Sequence, residues 1–154
     1  MDRSLRVLNE ALLRQREDRR FCTVAYAYLQ PADGGAEVGL SSGGHPLPLI
    51  LRADGTVEPL GVYGTLLGVV PDPDFEERSE RLSRGDAIVF YTDGVTDARV
   101  PGGFFGEERL TELVASCAGL PADEIAARIE AAALEVQDGE PHDDIAVVVL
   151  RVAA

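Results

Sequence analysis

Ala87-Ile88-Val89-Phe90-Tyr91-Thr92-Asp93-Gly94 runs from an uncharged, β-branched and aromatic stretch straight into a carboxylate and a glycine. Bounded in front by Gly85-Asp86, it predicts a buried strand over 86–92 that delivers Asp93 at its end. Further along, Pro141-His142-Asp143-Asp144 leads into Ile145-Ala-Val-Val-Val-Leu-Arg-Val152, a predicted final buried strand with acids at its start. Two carboxylate corners at strand ends suit hard divalent ions, provided the fold gathers them. Gly94 is expected to let the backbone turn away and leave room for an ion. Neighbouring residues at a strand start point to opposite sides, so Asp143 and Asp144 divide the work: one faces the ion, and the other caps or orients it from behind. Taken singly the signals are weak. Asp-Gly is a common turn, Asp143-Asp144 reads equally as two solvated loop acids, and His142 reads as a surface histidine before a ligand.

Outward from this stretch the pattern is strand-rich, with helices at the start and late in the chain. Leu5, Leu8, Leu12 and Leu13 predict an amphipathic helix from residue 2 to about 18, and Arg14, Arg16, Arg19 and Arg20 crowd its end, where cations complement the helix dipole. Phe21 to Gln30 and Ala36 to Ser42 read as a hairpin about Pro31-Ala-Asp-Gly-Gly. Leu47 to Arg52 and Thr56 to Leu60 read as a second about Ala53-Asp54-Gly55. Val62 to Val70 is glycine-rich and irregular, and Phe75 to Leu82 alternates with charges as an edge strand does. Gly106 to Ala118 and Pro121 to Val136 predict helices, the second with Ile125, Ile129, Ala132 and Val136 as its apolar stripe. The class expected is α+β, one domain over 1–154, with helices covering mainly antiparallel sheets.

Composition narrows the chemistry. The chain has 154 residues, 45% of them hydrophobic, with 14 basic against 27 acidic residues and a net charge of −13. Such a surface argues against nucleic acid as a partner and tolerates divalent cations or basic protein surfaces. Every basic residue is arginine, so a phosphate-loop lysine, a Schiff-base lysine and a lysine general base are excluded. Cys22 and Cys117 have no Cys-x-x-Cys context and read as reduced, semi-buried thiols. No apolar run reaches the roughly 18 residues of a membrane span, and the start has no signal-peptide pattern, so a cytoplasmic protein away from membranes is expected.

In order along the chain, Phe21-Cys-Thr-Val-Ala-Tyr, Ser42-Gly-Gly-His45-Pro-Leu-Pro-Leu-Ile-Leu-Arg52, Leu67-Gly68-Val69 and Leu82-Ser-Arg-Gly85-Asp86 are followed by Tyr91-Thr-Asp93-Gly94-Val95-Thr96-Asp97-Ala98. Phe105-Gly106-Glu107-Glu108-Arg109-Leu110 and His142-Asp143-Asp144-Ile145 complete the series. Together these motifs resemble the PPM family of metal-dependent Ser/Thr protein phosphatases, in its bacterial SpoIIE-type branch. The resemblance implies an α-β-β-α sandwich with two Mn2+ or Mg2+ ions and attack on phosphorus by a metal-activated water, with no protein nucleophile. It implies Asp93 and Asp143 as metal ligands, Asp144 and Gly94 as their support, and His45 as part of a Gly-His-Pro turn. It also implies phosphoserine or phosphothreonine on a bacterial sigma-factor regulator as substrate.

The resemblance departs in one place. The family's leading strands, with an Asp and then an Asp…Gly motif, have no counterpart; Asp2, Asp18 and Asp33 lack the context, so the domain reads as truncated at its N-terminus. Weak or absent activity is therefore expected of this chain alone. The alternative is a non-catalytic, regulator-binding module on the same scaffold. The missing strands would also leave an uncovered sheet, a site for self-association. Gly39-Leu40-Ser41-Ser42-Gly43 mimics a serine-hydrolase elbow, with Asp93 and His142 in hydrolase order, but Gly44, Pro46 and Pro48 forbid the helix an elbow requires.

Overall fold

A computed structural model describes residues 2–15, 21–137 and 142–153. Arg16, Arg19, Arg20, Asp18 and Pro141 lie outside the described residues. The elements in chain order are α1 (Asp2–Arg14), β1 (Val24–Ala32), β2 (Gly35–Gly43), β3 (Leu49–Leu51), β4 (Val57–Pro59), β5 (Glu77–Ser83) and β6 (Ala87–Tyr91). They continue with α2 (Asp93–Thr96), β7 (Arg99–Val100), β8 (Gly103–Phe104), α3 (Gly106–Ser116), α4 (Ala122–Glu135) and β9 (Val147–Arg151). Two compact units form, one from the residues up to Leu47 with Leu60–Arg81, the other from Pro48–Pro59 with the residues from Leu82 onward. Mixed helix and antiparallel sheet is the class expected. No helix among the described residues is long and apolar enough to cross a membrane.

The first unit holds a sheet in the order β1-β2-β5. Ala32 pairs with Gly35, so the β1–β2 connection is the two residues Asp33-Gly34, with Gly34 at φ +74°. The expected turn was wider. Pro31 stays in the strand opposite Ala36, which an edge strand tolerates because its outward N–H has no partner to lose. Tyr28 lies opposite Gly39 with its ring across the glycine, where a Cβ would collide with it. Partial desolvation, then Glu77 and Glu37, push the Tyr28 phenol above its ordinary pKa. The other edge, β5, is charged, and of its side chains only Leu82 is buried.

Helix α1 presents Leu5, Asn9 and Leu12 inward, and Leu8, expected on that face, is 42% exposed. Asn9 is fully buried and meets both its needs: its Nδ2 donates to the Val70 carbonyl (3.0 Å) and its Oδ1 accepts from the Gly68 N–H (2.8 Å). An amide at a helical core position looks polar in sequence, and only the loop it ties down reveals why it is inside.

In the second unit the sheet order is β4-β3-β6-β9, antiparallel throughout. One face, with Leu49, Leu51, Ala87, Val89 and Tyr91, packs with Leu110 and Val114 of α3 and Ile125, Ile129 and Ala133 of α4. The α4 stripe therefore runs 125–129–133, with Ala132 and Val136 half-buried beside it rather than on it. Cys117 is buried in the same cluster and its thiol donates to the Leu113 carbonyl; both cysteines are free. Asp86 is buried and accepts from the Ala53 and Ser83 N–H groups (2.9 and 3.0 Å) and from Arg52 Nη1 (3.2 Å). One carboxylate thus closes the turns at both ends of its neighbourhood.

Strand β9 corrects the sequence expectation twice. It begins at Val147 rather than Ile145, and it is not buried: its residues alternate between half-buried and exposed, with Val148 at 55% and Leu150 at 40% exposure. Its apolar composition misleads because, among the described residues, it lies at the sheet's edge.

Candidate metal centre

The β6–β9 register brings the two acidic corners together. Tyr91 pairs with Val147, and the ladder continues one step beyond both strands: the Thr92 N–H donates to the Ala146 carbonyl (3.1 Å). The Thr92 hydroxyl then joins the two segments twice, accepting from the Ala146 N–H (2.9 Å) and donating to the Asp144 carbonyl (2.7 Å). Asp93 follows this latch and Asp143 precedes it.

Asp93 opens α2, a single helical turn. Its carbonyl accepts from the Asp97 N–H (2.7 Å) and from Thr96 Oγ1 (3.2 Å), while Gly94, Val95 and Thr96 are buried. Val95 enters the apolar cluster beneath and anchors the turn. From sequence, Asp-Gly reads as a loop turn in which glycine frees the backbone. Gly94 instead has no positive φ; a Cβ on it would meet the Asp144 carbonyl oxygen at 2.5 Å and its carbon at 2.9 Å. Glycine is needed here because the Asp143-Asp144 backbone passes directly against it.

The Asp93, Asp143 and Asp144 side chains all reach solvent. Asp143 and Asp144 do not abut the strand; they lie in a bend and an irregular lead-in to β9. Asp143 Oδ1 accepts from the Asp144 N–H (2.8 Å), and among the described residues its other oxygen has no partner. His142 is turned toward the end of α4, its N–H and Nδ1 both near Gln137 Oε1 (3.1 and 3.2 Å). In the other unit His45 closes a turn: its carbonyl accepts from Ser42 Oγ (2.9 Å), its Nδ1 sits 3.0 Å from Thr23 Oγ1, and Gly44 takes φ +73°. Ser41 lies inside β2 opposite Tyr26, with no helix following, so no nucleophile elbow exists there.

In kind, the oxygen donors at this corner fit a hard divalent cation. In number they fall short: among the described residues no group of three or more His, Cys, Asp or Glu is placed to hold a metal. Thr92, which makes the corner, does not stand out in the sequence. A threonine between an aromatic strand and Asp-Gly carries no pattern of its own.

A model of the family described as Stage II sporulation protein E (SpoIIE) matches residues 1–153. The chain belongs to the SpoIIE family. Within it, this SpoIIE-family chain is 31% identical over 147 residues to the phosphoserine phosphatase RsbU of Bacillus subtilis, covering 96% of its own length and 44% of RsbU. It thus spans less than half of that relative. The phosphatase domain of the cell-fate determinant SpoIIE from Bacillus subtilis, Mn presoaked, shares the fold at a TM-score of 0.71 with 19% identity, over 99% of this chain and 66% of that one. The Mycobacterium tuberculosis serine/threonine phosphatase PstP does so at 0.68 with 18% identity, over 99% and 71%. The resemblance to PPM phosphatases of the SpoIIE type and the expected α+β class with antiparallel sheets are borne out.

Proposed function

We propose that this chain contributes part of the metal centre of a protein-serine/threonine phosphatase. Asp93 and Asp143 hold Mn2+ or Mg2+, while Asp144 and Gly94 set the backbone on which both stand. Supporting this reading is the Thr92 latch, which holds the two acidic corners against one another at the end of the β6–β9 ladder. When bound, the cation supplies charge neutralisation for a phosphoryl group and acidity for the attacking water. The chain's own part is to hold carboxylate oxygens outward with no basic side chain taking them up: among the described residues neither Asp93 nor Asp143 forms an ion pair. The substrate proposed is a phosphoserine or phosphothreonine on a small bacterial regulatory protein of the sigma-factor-regulator type, met in the cytoplasm. The net charge of −13 favours a protein over nucleic acid.

A second reading has an observation of its own. With no three-residue ligand group among the described residues, the same scaffold serves as a regulator-binding module without hydrolysis. One experiment separates the two. Calorimetric titration with Mn2+ and p-nitrophenyl phosphate turnover are measured on the chain, on Asp93→Asn and on Asp143→Asn. The metal-centre reading expects Mn2+ binding that weakens at least tenfold in each variant, with slow turnover lost in both. Mn2+ binding indifferent to both substitutions would sink it, and regulator binding without turnover would establish the module.

A further inference from the structure

Asp143 belongs to a segment with no strand pairing of its own: residues 142 and 143 bend, and 144–146 are irregular until β9 begins. A carboxylate on such a segment stands where its neighbours hold it. On the C-terminal side the hold is the Thr92 hydroxyl, bonded to the Asp144 carbonyl and the Ala146 N–H. On the N-terminal side it is Gln137, two residues past the end of α4 and only 7% exposed.

The end of α4 explains why a glutamine is inside. The Gln137 N–H bonds the Leu134 carbonyl (3.1 Å), three residues back, rather than the Ala133 carbonyl four back that a regular helix would use. Ala133 is fully buried, and its carbonyl accepts from Gln137 Nε2 instead (3.1 Å). That bond settles which way the amide faces, since a carbonyl only accepts. Oε1 is left for His142 and accepts from its N–H (3.1 Å), a group that only donates. His142 Nδ1 lies 3.2 Å from the same oxygen and, Oε1 having no proton, is the donor there too. An amide turned end for end would set oxygen against oxygen and N–H against N–H. Asparagine is a methylene shorter, and an ionised glutamate has no donor for Ala133.

We propose that Gln137 is a positioning residue for the metal centre, acting on the cation through the His142 backbone and the Asp143 carboxylate that follows it. The inference rests on the metal-centre reading of Asp93 and Asp143. Gln137 ties the residue before Asp143 to α4, which Ile125, Ile129 and Ala133 fix in the apolar cluster. Thr92 ties the residue after it to the end of β6. Asp143 is thus bracketed, one residue away on each side, by a side chain standing on regular structure. Supports of this kind set metal affinity without touching the metal, because they determine where the ligand oxygens wait. A mere helix cap would act on stability and leave the cation alone.

Calorimetric titration of the full chain with Mn2+ tests this in Gln137→Met, which keeps the side chain's length and removes both its hydrogen bonds. Affinity is expected to fall roughly tenfold, the low end for groups that support metal ligands. Hydrogen exchange at the His142 and Asp143 amides should quicken, with the amides inside β6 little changed. The same substitution is then placed in the Asp143→Asn and Asp93→Asn backgrounds. Acting through Asp143, it should lose its effect on affinity in the first and keep it in the second. Circular dichroism checks folding; should Gln137→Met not fold, Gln137→Asn, too short to hold both partners, replaces it with the same expected pattern. Unchanged Mn2+ affinity in a chain that Asp143→Asn impairs overturns the proposal and leaves the metal-centre reading standing. So does an equal loss in the Asp143→Asn background, which would assign Gln137 to the stability of α4 alone. Mn2+ binding indifferent to Asp143→Asn sinks the metal-centre reading itself, and this inference with it.

Discussion

A methyl group on Gly94 would stand 2.5 Å from the Asp144 carbonyl oxygen, inside any real carbon–oxygen contact, and 3.3 Å from the Asp143 carbonyl carbon. Neither atom is a flexible side-chain end, so the backbone itself must give way. Gly94→Ala is therefore expected to cost about 2 kcal/mol, in the range of overpacked sites, and to lower the thermal midpoint in calorimetry. Because the displaced segment carries Asp143, Mn2+ affinity should also fall by roughly tenfold or more, as for supports behind metal ligands; an unchanged titration would break the link between the glycine and the site. Asp54 shows the same economy in a turn, where the Thr56 N–H (2.9 Å) holds its carboxyl below the usual carboxylate range. Sequence identified Gly94 as necessary and mistook the cause. A Gly after an Asp looks like a bend, and the chain that crowds it arrives from a distant part of the sequence.

Among the elements, β6 and β9 decide whether the acidic corners meet, and their last rung is a side chain. Thr92→Val keeps the β-branched shape and removes the hydroxyl, leaving the Asp144 carbonyl and Ala146 N–H without their partner. Loss of the latch is expected to cost about 1–3 kcal/mol, and to release the 143–146 segment while β6 and β9 stay paired. Hydrogen exchange reads this directly: the Ala146 amide should exchange faster, with the amides inside β6 little changed. Thr92→Ser, which keeps the hydroxyl, should preserve protection; failure of that rescue would assign the role to the methyl group. Strand β9 also shows where composition fails. Val147 to Leu150 is as apolar as a central strand, yet exposure depends on its place in the sheet order, which no local pattern encodes. The hairpin expected about Ala53–Gly55 is present because its turn is local: the Arg52 N–H bonds the Thr56 carbonyl at 2.8 Å.

Over the whole molecule the dominant physical quantity is charge: 27 acidic residues against 14 arginines. Self-repulsion of this size destabilises a compact chain and is screened by salt. Raising ionic strength to about 0.5 M is expected to lift the thermal midpoint by roughly 2–4 °C, equivalent to about 1 kcal/mol at this length. Differential scanning calorimetry in NaCl and KCl should give the same rise; a midpoint that falls, or that depends on which cation is added, would assign the effect to specific ion binding. Sequence alone determined the α+β class, the longer strands and helices, the family, and the two aspartates worth watching, because these are written in periodicity, turn chemistry and local motifs; the short α2, β7 and β8 between Asp93 and Phe104 were not among them. Tertiary structure alone decided that Thr92 joins the corners, that Gly94 yields to a passing backbone, that Asn9 and Asp86 belong inside, and that β9 is an edge. Each of those depends on which remote segment lies alongside, and a sequence carries no distance between residues that only pairing brings near.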